Sequence, residues 1–195
     1  GAALIDPDAQ VDPSAKVGPF AVIGPGVSIG PDCVIGSHVV IKGPTRMGAG
    51  NRIHSFASVG DDPQDKKYAG EPTVLEIGDN NVIREYANVH RGTELGGGIT
   101  RIGNGNLLMA YTHVAHDCVI GDNCILANAA SLGGHVVVED WAILGGFAIV
   151  HQFCRIGAHS FSSMGSIIKQ DVPTYVTADG HPARARGINA EGLKR

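Results

Sequence analysis

Large aromatic side chains are scarce: the 195 residues hold five Phe, four Tyr and one Trp. An interior built around stacked rings is therefore excluded. No apolar run approaches the roughly 18 residues a membrane-spanning helix needs, so stable membrane insertion is not expected. The N-terminus lacks a basic segment followed by an apolar one, so no export signal is expected. An excess of positive charge is also missing. With 19 acidic and 15 basic side chains the net charge is −4, which argues against nucleic acid or an anionic lipid surface as partner. Cysteines number four, Cys33, Cys118, Cys124 and Cys154, and none forms a CxxC pair. In a chain without an export signal they read as reduced, small, apolar residues, which with the missing signal points to the cytoplasm. Glycine, by contrast, is abundant at 28 residues, and apolar residues reach 43%, enough for a core.

The apolar residues recur every six positions. From Ile5 the series runs Val11, Val17, Ile23, Ile29, Ile35, Ile41, Met47, Ile53 and Val59. It resumes at Ile77, Ile83 and Val89, and again from Ile102 through Leu108, Val114, Ile120, Leu126, Leu132, Val138, Leu144, Val150 and Ile156, broken only by Ser162 before Ile168. Four residues after each such position sits a mostly small residue, such as Ala9, Ala15, Ala21 and Cys33; Cys118, Cys124 and Cys154 occupy the same slot. A period of six is neither helical nor simply alternating. It is the mark of an all-β fold, a parallel β-helix of hexapeptide repeats in which three hexads close one coil of a triangular prism. Gly24-Pro25-Gly26 and Gly30-Pro31-Asp32 suit the tight corners.

Two stretches break the register, 61–72 (DDPQDKKYAGEP) and 93–99 (TELGGGI). Inserts in a repeat fold leave as loops and often build a binding face. The β-helix is expected over 1–170. The remainder, 171–195, reads as an irregular segment with a basic tail of Arg184, Arg186, Lys194 and Arg195.

Coil arithmetic sorts the nine histidines. A step of three hexads leads from Asp117 to His135, from His116 to Gly134, and from Gly134 to Gln152. His113, His116, Asp117, Gly134, His135, His151 and Gln152 thus share one prism edge, which His90 from an earlier coil can join. His38, His54, His159 and His181 read as ordinary surface residues. Three readings of the cluster stand side by side. One is turn positions that happen to accept His, on a non-catalytic scaffold. Another is a proton-transfer site, with His116 as general base, Asp117 orienting it, and Gly133-Gly134 leaving room for substrate and a free N–H. The third is a zinc site shared between subunits, as in β-helical carbonic anhydrases, which the HxxH spacing of His113 and His116 permits. No Ser or Cys stands out as a covalent nucleophile, which favours direct transfer to a bound hydroxyl.

The segments QDKKYAGEPT (64–73), HRGT (90–93), NLLMAYTHVAHDC (106–118), ILAN (125–128), GGH (133–135), VHQFCRIGAH (150–159), QDVPTYV (170–176) and INAEGLKR (188–195) are more specific than the repeat. In order and spacing the chain resembles the UDP-N-acetylglucosamine O-acyltransferases, first enzymes of lipid A synthesis. The resemblance implies a left-handed β-helix, a homotrimer with active sites between prisms, and transfer of an (R)-3-hydroxyacyl chain from acyl carrier protein to the sugar 3-hydroxyl, without cofactor or metal. It implies that His116 takes the hydroxyl proton, Asp117 orients it, and the Gly134 N–H stabilises the oxyanion. Asp65, Lys67 and His135 match positions that hold sugar and acyl groups, and His90, His113, His151 and Gln152 other active-site positions. Asn189, Glu191 and Arg195 match the nucleotide-binding tail. Phe161 and Met164 fall near the position that limits acyl length. Met164 lies eight hexads beyond His116, or roughly 13 Å along the axis at one strand spacing per coil. That predicts chains of about ten carbons. The resemblance also implies a helical C-terminal domain, which is expected to be absent from these 195 residues.

Overall fold

The computed structural model describes residues 1–194. Among the described residues three sheets of nine, eight and ten strands, parallel except for the end strand of the third, form a triangular prism, a left-handed parallel β-helix. The chain visits the faces in turn. Leu4–Ile5 begins the first face, Gln10–Val11 the second and Lys16–Val17 the third. One coil later Val22–Ile23 lands on the first face again, with Leu4 opposite Val22 and Ile5 opposite Ile23.

Most strands are so short that each points one side chain out and one in. The inward residues form columns. On the third face Leu108, Leu126 and Leu144 stack in register, all fully buried. Burying a side chain of this size contributes about 2 kcal/mol, and the columns repeat that contribution along the axis. The four cysteines lie among these columns, free and buried. Burial pushes the thiols of Cys118 and Cys124 up to about 12, and raises those of Cys33 and Cys154. Cys33, Cys118 and Cys124 donate to carbonyls at 3.1–3.2 Å. Ser162, the one break in the aliphatic series, is also buried, and its hydroxyl accepts from Gly145 N at 3.2 Å.

Register shifts mark the two insertions. An unbroken step of three hexads would set Val59 against Ile77 and Val89 against Leu107. Instead Val59 opposes Val89, and Val89 opposes Val114. The extra residues leave as loops near the edge between the first and second faces.

Corner residues adopt the left-handed conformation even without glycine. At the edge between the third and first faces Phe20, His38, Phe56, Tyr86 and Tyr111 all have φ near +60°. Their rings stack at centroid spacings of 4.9–5.2 Å. His159 stacks likewise between Trp141 and Tyr175 at the edge between the second and third faces. His38 is exposed and His159 half-buried, so both lie at the surface as expected, but each is held in a ring stack. The coil pitch brings corner residues from successive coils to ring-stacking distance.

The C-terminal segment also differs from expectation. The sequence predicts an irregular 171–195, but Val176–Gly180 pairs parallel with Phe161–Ser162 and antiparallel with Ala183–Ile188. This hairpin covers the backbone edge that the last third-face strand would otherwise present to solvent. It follows no six-residue period because its second strand runs back on the first.

Candidate active site

The strand His113–Val114 on the first face runs into the corner Ala115–Cys118 before Val119–Ile120 opens the second face. Asp117 takes the left-handed position of that corner, with φ +62°. Its carboxylate is 1% exposed and turns back to His116, whose Nδ1 lies 2.7 Å from Asp117 Oδ2. Nδ1 therefore donates to the carboxylate, and Nε2 has no hydrogen-bond partner among the described residues.

The second insertion builds the rest of the carboxylate's shell. Thr93 N donates to Oδ1 at 2.8 Å and Thr93 Oγ1 to Oδ2 at 2.6 Å. Asp117 N donates to Thr100 Oγ1 at 2.8 Å. A one-turn 3₁₀ helix, Glu94–Gly96, then passes so close that a Cβ on Gly96 would stand 2.1 Å from Asp117 Cγ. Glycine there lets the loop seal the carboxylate from water.

One coil on, Gly134 lies against the working edge of His116. A Cβ on Gly134 would stand 2.6 Å from His116 Cε1 and 2.8 Å from Nε2. Among the described residues the Gly134 N–H has no acceptor. An imidazole edge and a residue with an unpaired backbone donor thus lie against one another. His135 stands beside them, its Nε2 3.7 Å from Asp117 Oδ2, its ring edge-on to His116 and stacked on Phe153 at 4.5 Å.

His113 and His90 extend the cluster along the first face, rings 5.3 Å apart. His113 Nδ1 lies 2.5 Å from Asn88 Oδ1. Burial, reinforced by His90 and His116, depresses the His113 ring to about 4, so it is neutral near neutral pH. His90 is buried, with Nδ1 2.7 Å from the Asp62 carbonyl and no partner at Nε2 among the described residues. His151 and Gln152 lie exposed on the same edge one coil beyond Gly134. Among the described residues the atoms grouped closely enough to hold a metal ion are those of His116, Asp117 and His135, within 4.8 Å of one another. His113 does not join them, so the HxxH pairing gathers no metal set in one chain.

Asp65 and Lys67 occupy one turn of the first insertion, Lys67 N donating to Asp65 Oδ1 at 3.0 Å. With Tyr68, Glu71, Thr93, Glu94 and Leu95 they line a cavity of about 180 Å³ between the two insertions. Thr93, which holds Asp117, thus also walls the cleft of Asp65 and Lys67.

Other expected residues lie elsewhere in the protomer. Asn189 Nδ2 donates to His159 O at 2.7 Å, at the edge between the second and third faces, and Glu191 pairs with Lys194. Arg195 lies outside the described residues. Phe161 faces outward from the third face, and Met164 stands 76% exposed at the corner between the third and first faces. Phe161 and Met164 therefore do not line one surface with His116 in a single chain. Sequence reasoning missed Thr93, Thr100, Asn88, Gly96 and Arg91. HRGT drew notice as a motif, but neither Arg91 nor Thr93 falls in the six-residue register that assigned the other roles.

Comparison with known proteins bears on this geometry. The bacterial transferase hexapeptide family (six repeats) matches residues 8–43 and 99–134, and UDP-N-acetylglucosamine O-acyltransferase domain 2 matches 171–195. The crystal structure of LpxA from Acinetobacter baumannii superposes with a TM-score of 0.98 at 50% identity, over all of this chain and 76% of that one. The chain belongs to the UDP-N-acetylglucosamine O-acyltransferase family. The UDP-N-acetylglucosamine O-acyltransferase of Moraxella catarrhalis gives a TM-score of 0.97 at 50% identity, over the whole of this chain and 76% of its own. Among curated members, the acyl-[acyl-carrier-protein]--UDP-N-acetylglucosamine O-acyltransferase of Stutzerimonas stutzeri is 58% identical over 79% of this chain and 60% of its own length. That of Alkalilimnicola ehrlichii is 62% identical over 72% of this chain and 54% of its own. The chain spans only about three-fifths or less of the curated acyltransferases it matches. No helix among the described residues is long and apolar enough to cross a membrane.

Proposed function

We propose that this chain carries the site that transfers an (R)-3-hydroxyacyl group from acyl carrier protein to the 3-hydroxyl of UDP-N-acetylglucosamine, the entry step of lipid A synthesis, in the cytoplasm. The observation that carries this reading is Gly134, its N–H unpartnered, set against the Cε1–Nε2 edge of His116, with Asp117 sealed behind the imidazole. Nε2 takes the proton of the sugar hydroxyl as its oxygen bonds to the thioester carbonyl carbon. Negative charge collects on the carbonyl oxygen, where the Gly134 N–H donates; such preorganised donors are often the largest catalytic term. Asp117 offsets the imidazolium charge. Collapse breaks the carbon–sulfur bond, and His116 returns the proton to the leaving thiolate. Asp65 and Lys67 bind the sugar nucleotide from the adjoining cleft, with His135, His90, His113, His151 and Gln152 lining its approach. No step calls for a metal or cofactor.

The active assembly is a homotrimer. Asn189, Glu191 and Met164 sit on edges other than that of His116. They reach a reacting centre when a neighbouring copy brings its edge against this one, so nucleotide binding and the limit on acyl length come from across the interface. The test is transfer from 3-hydroxyacyl carrier protein to UDP-N-acetylglucosamine by the wild-type chain and by His116→Ala. The variant is expected to fold, assemble and lose at least 10²-fold in rate. Retention of more than about a tenth of the rate would remove His116 from the role of base.

A further inference from the structure

Arg91 is a buried cation that the proposed chemistry does not use. Its side chain is 7% exposed, whereas that of its partner Asp62 is 62% exposed. The guanidinium donates through one nitrogen to Gly60 O at 2.6 Å, and through another to Asp62 Oδ1 and to Tyr68 Oη, the latter at 3.0 Å. Its backbone N donates to Asp61 O at 3.0 Å. Every one of these acceptors belongs to the first insertion or the residue that enters it. Tyr68 Oη passes the constraint on, donating to Glu71 O at 3.0 Å, while Tyr68 N closes the turn on Asp65 O at 3.1 Å. The guanidinium thus grips the loop at both ends of the turn that carries Asp65 and Lys67. Slightly further along the chain, Thr93 grips Asp117. One short stretch, 90–93, binds the loop with its first two side chains and the dyad with its last.

We infer that Arg91 is a positioning residue that fixes the loop 61–72 relative to the His116–Asp117 pair, so that the sugar nucleotide meets Asp65 and Lys67 already in place. The role of Asp65 and Lys67 rests on the reading under Proposed function; the fixing of the loop does not. A planar fork satisfies three acceptors at once, which a lysine ammonium on a flexible stem does not reproduce. A loop ordered before the ligand arrives spares the ligand that ordering cost.

The loop contains Lys66 and Lys67, so trypsin reports on it directly. Wild type, Arg91→Lys and Tyr68→Phe are compared for cleavage after these lysines, for melting temperature, and for KM and kcat toward UDP-N-acetylglucosamine. Tyr68→Phe removes a single hydroxyl in the loop and guards against a fold defect in the arginine variant. Cleavage is expected to rise at least tenfold in Arg91→Lys and severalfold in Tyr68→Phe, in proteins that still melt cooperatively. KM for the sugar nucleotide is expected to rise about tenfold in Arg91→Lys with kcat within threefold of wild type. Unchanged cleavage in folded Arg91→Lys and Tyr68→Phe would overturn the inference, as would a fall in kcat with KM unaltered. If the wild type transfers no acyl group, the functional reading fails by itself and the cleavage comparison still decides whether Arg91 fixes the loop.

Discussion

Thr93 holds both oxygens of Asp117, its backbone N on Oδ1 at 2.8 Å and its hydroxyl on Oδ2 at 2.6 Å. Oδ2 is also the atom that receives His116 Nδ1. His116, the base on the proposed reading, is therefore oriented by a carboxylate that is itself clamped by a loop lying outside the repeat. Thr93→Val keeps the shape and the backbone bond but removes the hydroxyl. A hydrogen bond to a charged group is worth about 1.5–3 kcal/mol, so kcat is expected to fall roughly 10- to 100-fold with KM nearly constant. Thr93→Ser should restore most of the rate. Steady-state kinetics on the three proteins decide this, and an unchanged kcat in the valine variant would release Thr93 from the role.

Gly134 is a harsher case. An added methyl would overlap the His116 ring at 2.6–2.8 Å, at the edge that approaches the substrate on the proposed reading. On the proposed reading, Gly134→Ala is expected to keep the wild-type oligomeric state and its melting temperature to within a few degrees while losing at least 10²-fold in transfer rate, the scale of a displaced general base. Gly146 has no neighbour nearer than 3.5 Å at its Cβ position. Gly146→Ala serves as the control and should transfer normally.

Acyl length is set, on the proposed reading, by Met164 at the exposed corner between the third and first faces. Wild type should favour carrier-protein donors of about ten carbons over those of about fourteen, and Met164→Gly should shift the preference to the longer chain. Competition between the two donors is the measurement. Equal use of both by wild type, or no shift in the variant, would place the limit at another residue.

His113 makes stability depend on pH. Its folded-state value of about 4 lies below the ordinary 6.5 because burial disfavours the charged ring. Between those values the unfolded chain binds a proton that the folded chain does not. Stability from this residue is thus full above 6.5 and is lost as pH falls toward 4. His113→Gln is expected to show a smaller drop in melting temperature than wild type between neutral pH and about pH 4.5. Equal drops in the two proteins would show that His113 titrates as it does in water.

The six-residue period by itself determined the prism. An inward aliphatic every sixth residue can be buried only if each hexad contributes one short strand. The three-hexad arithmetic of the coil follows, and by itself it sets Gly134 against His116. The same arithmetic stopped where the register did. Thr93 and Arg91 lie in or beside insertions, and a loop's path depends on which distant hydrogen bonds it finds, not on a period. Among the stacked corner rings, Phe20, His38 and Phe56 stand one three-hexad step apart and are reached by the same arithmetic, whereas Tyr86 and Tyr111 join the stack only across the insertions, where that step fails. The hairpin from Val176 to Ile188 runs back on itself and so carries no hexad signal. Only the tertiary structure decided that Asp117 is sealed from water, because the seal is made by a loop from earlier in the chain, and burial is a property of what packs overhead.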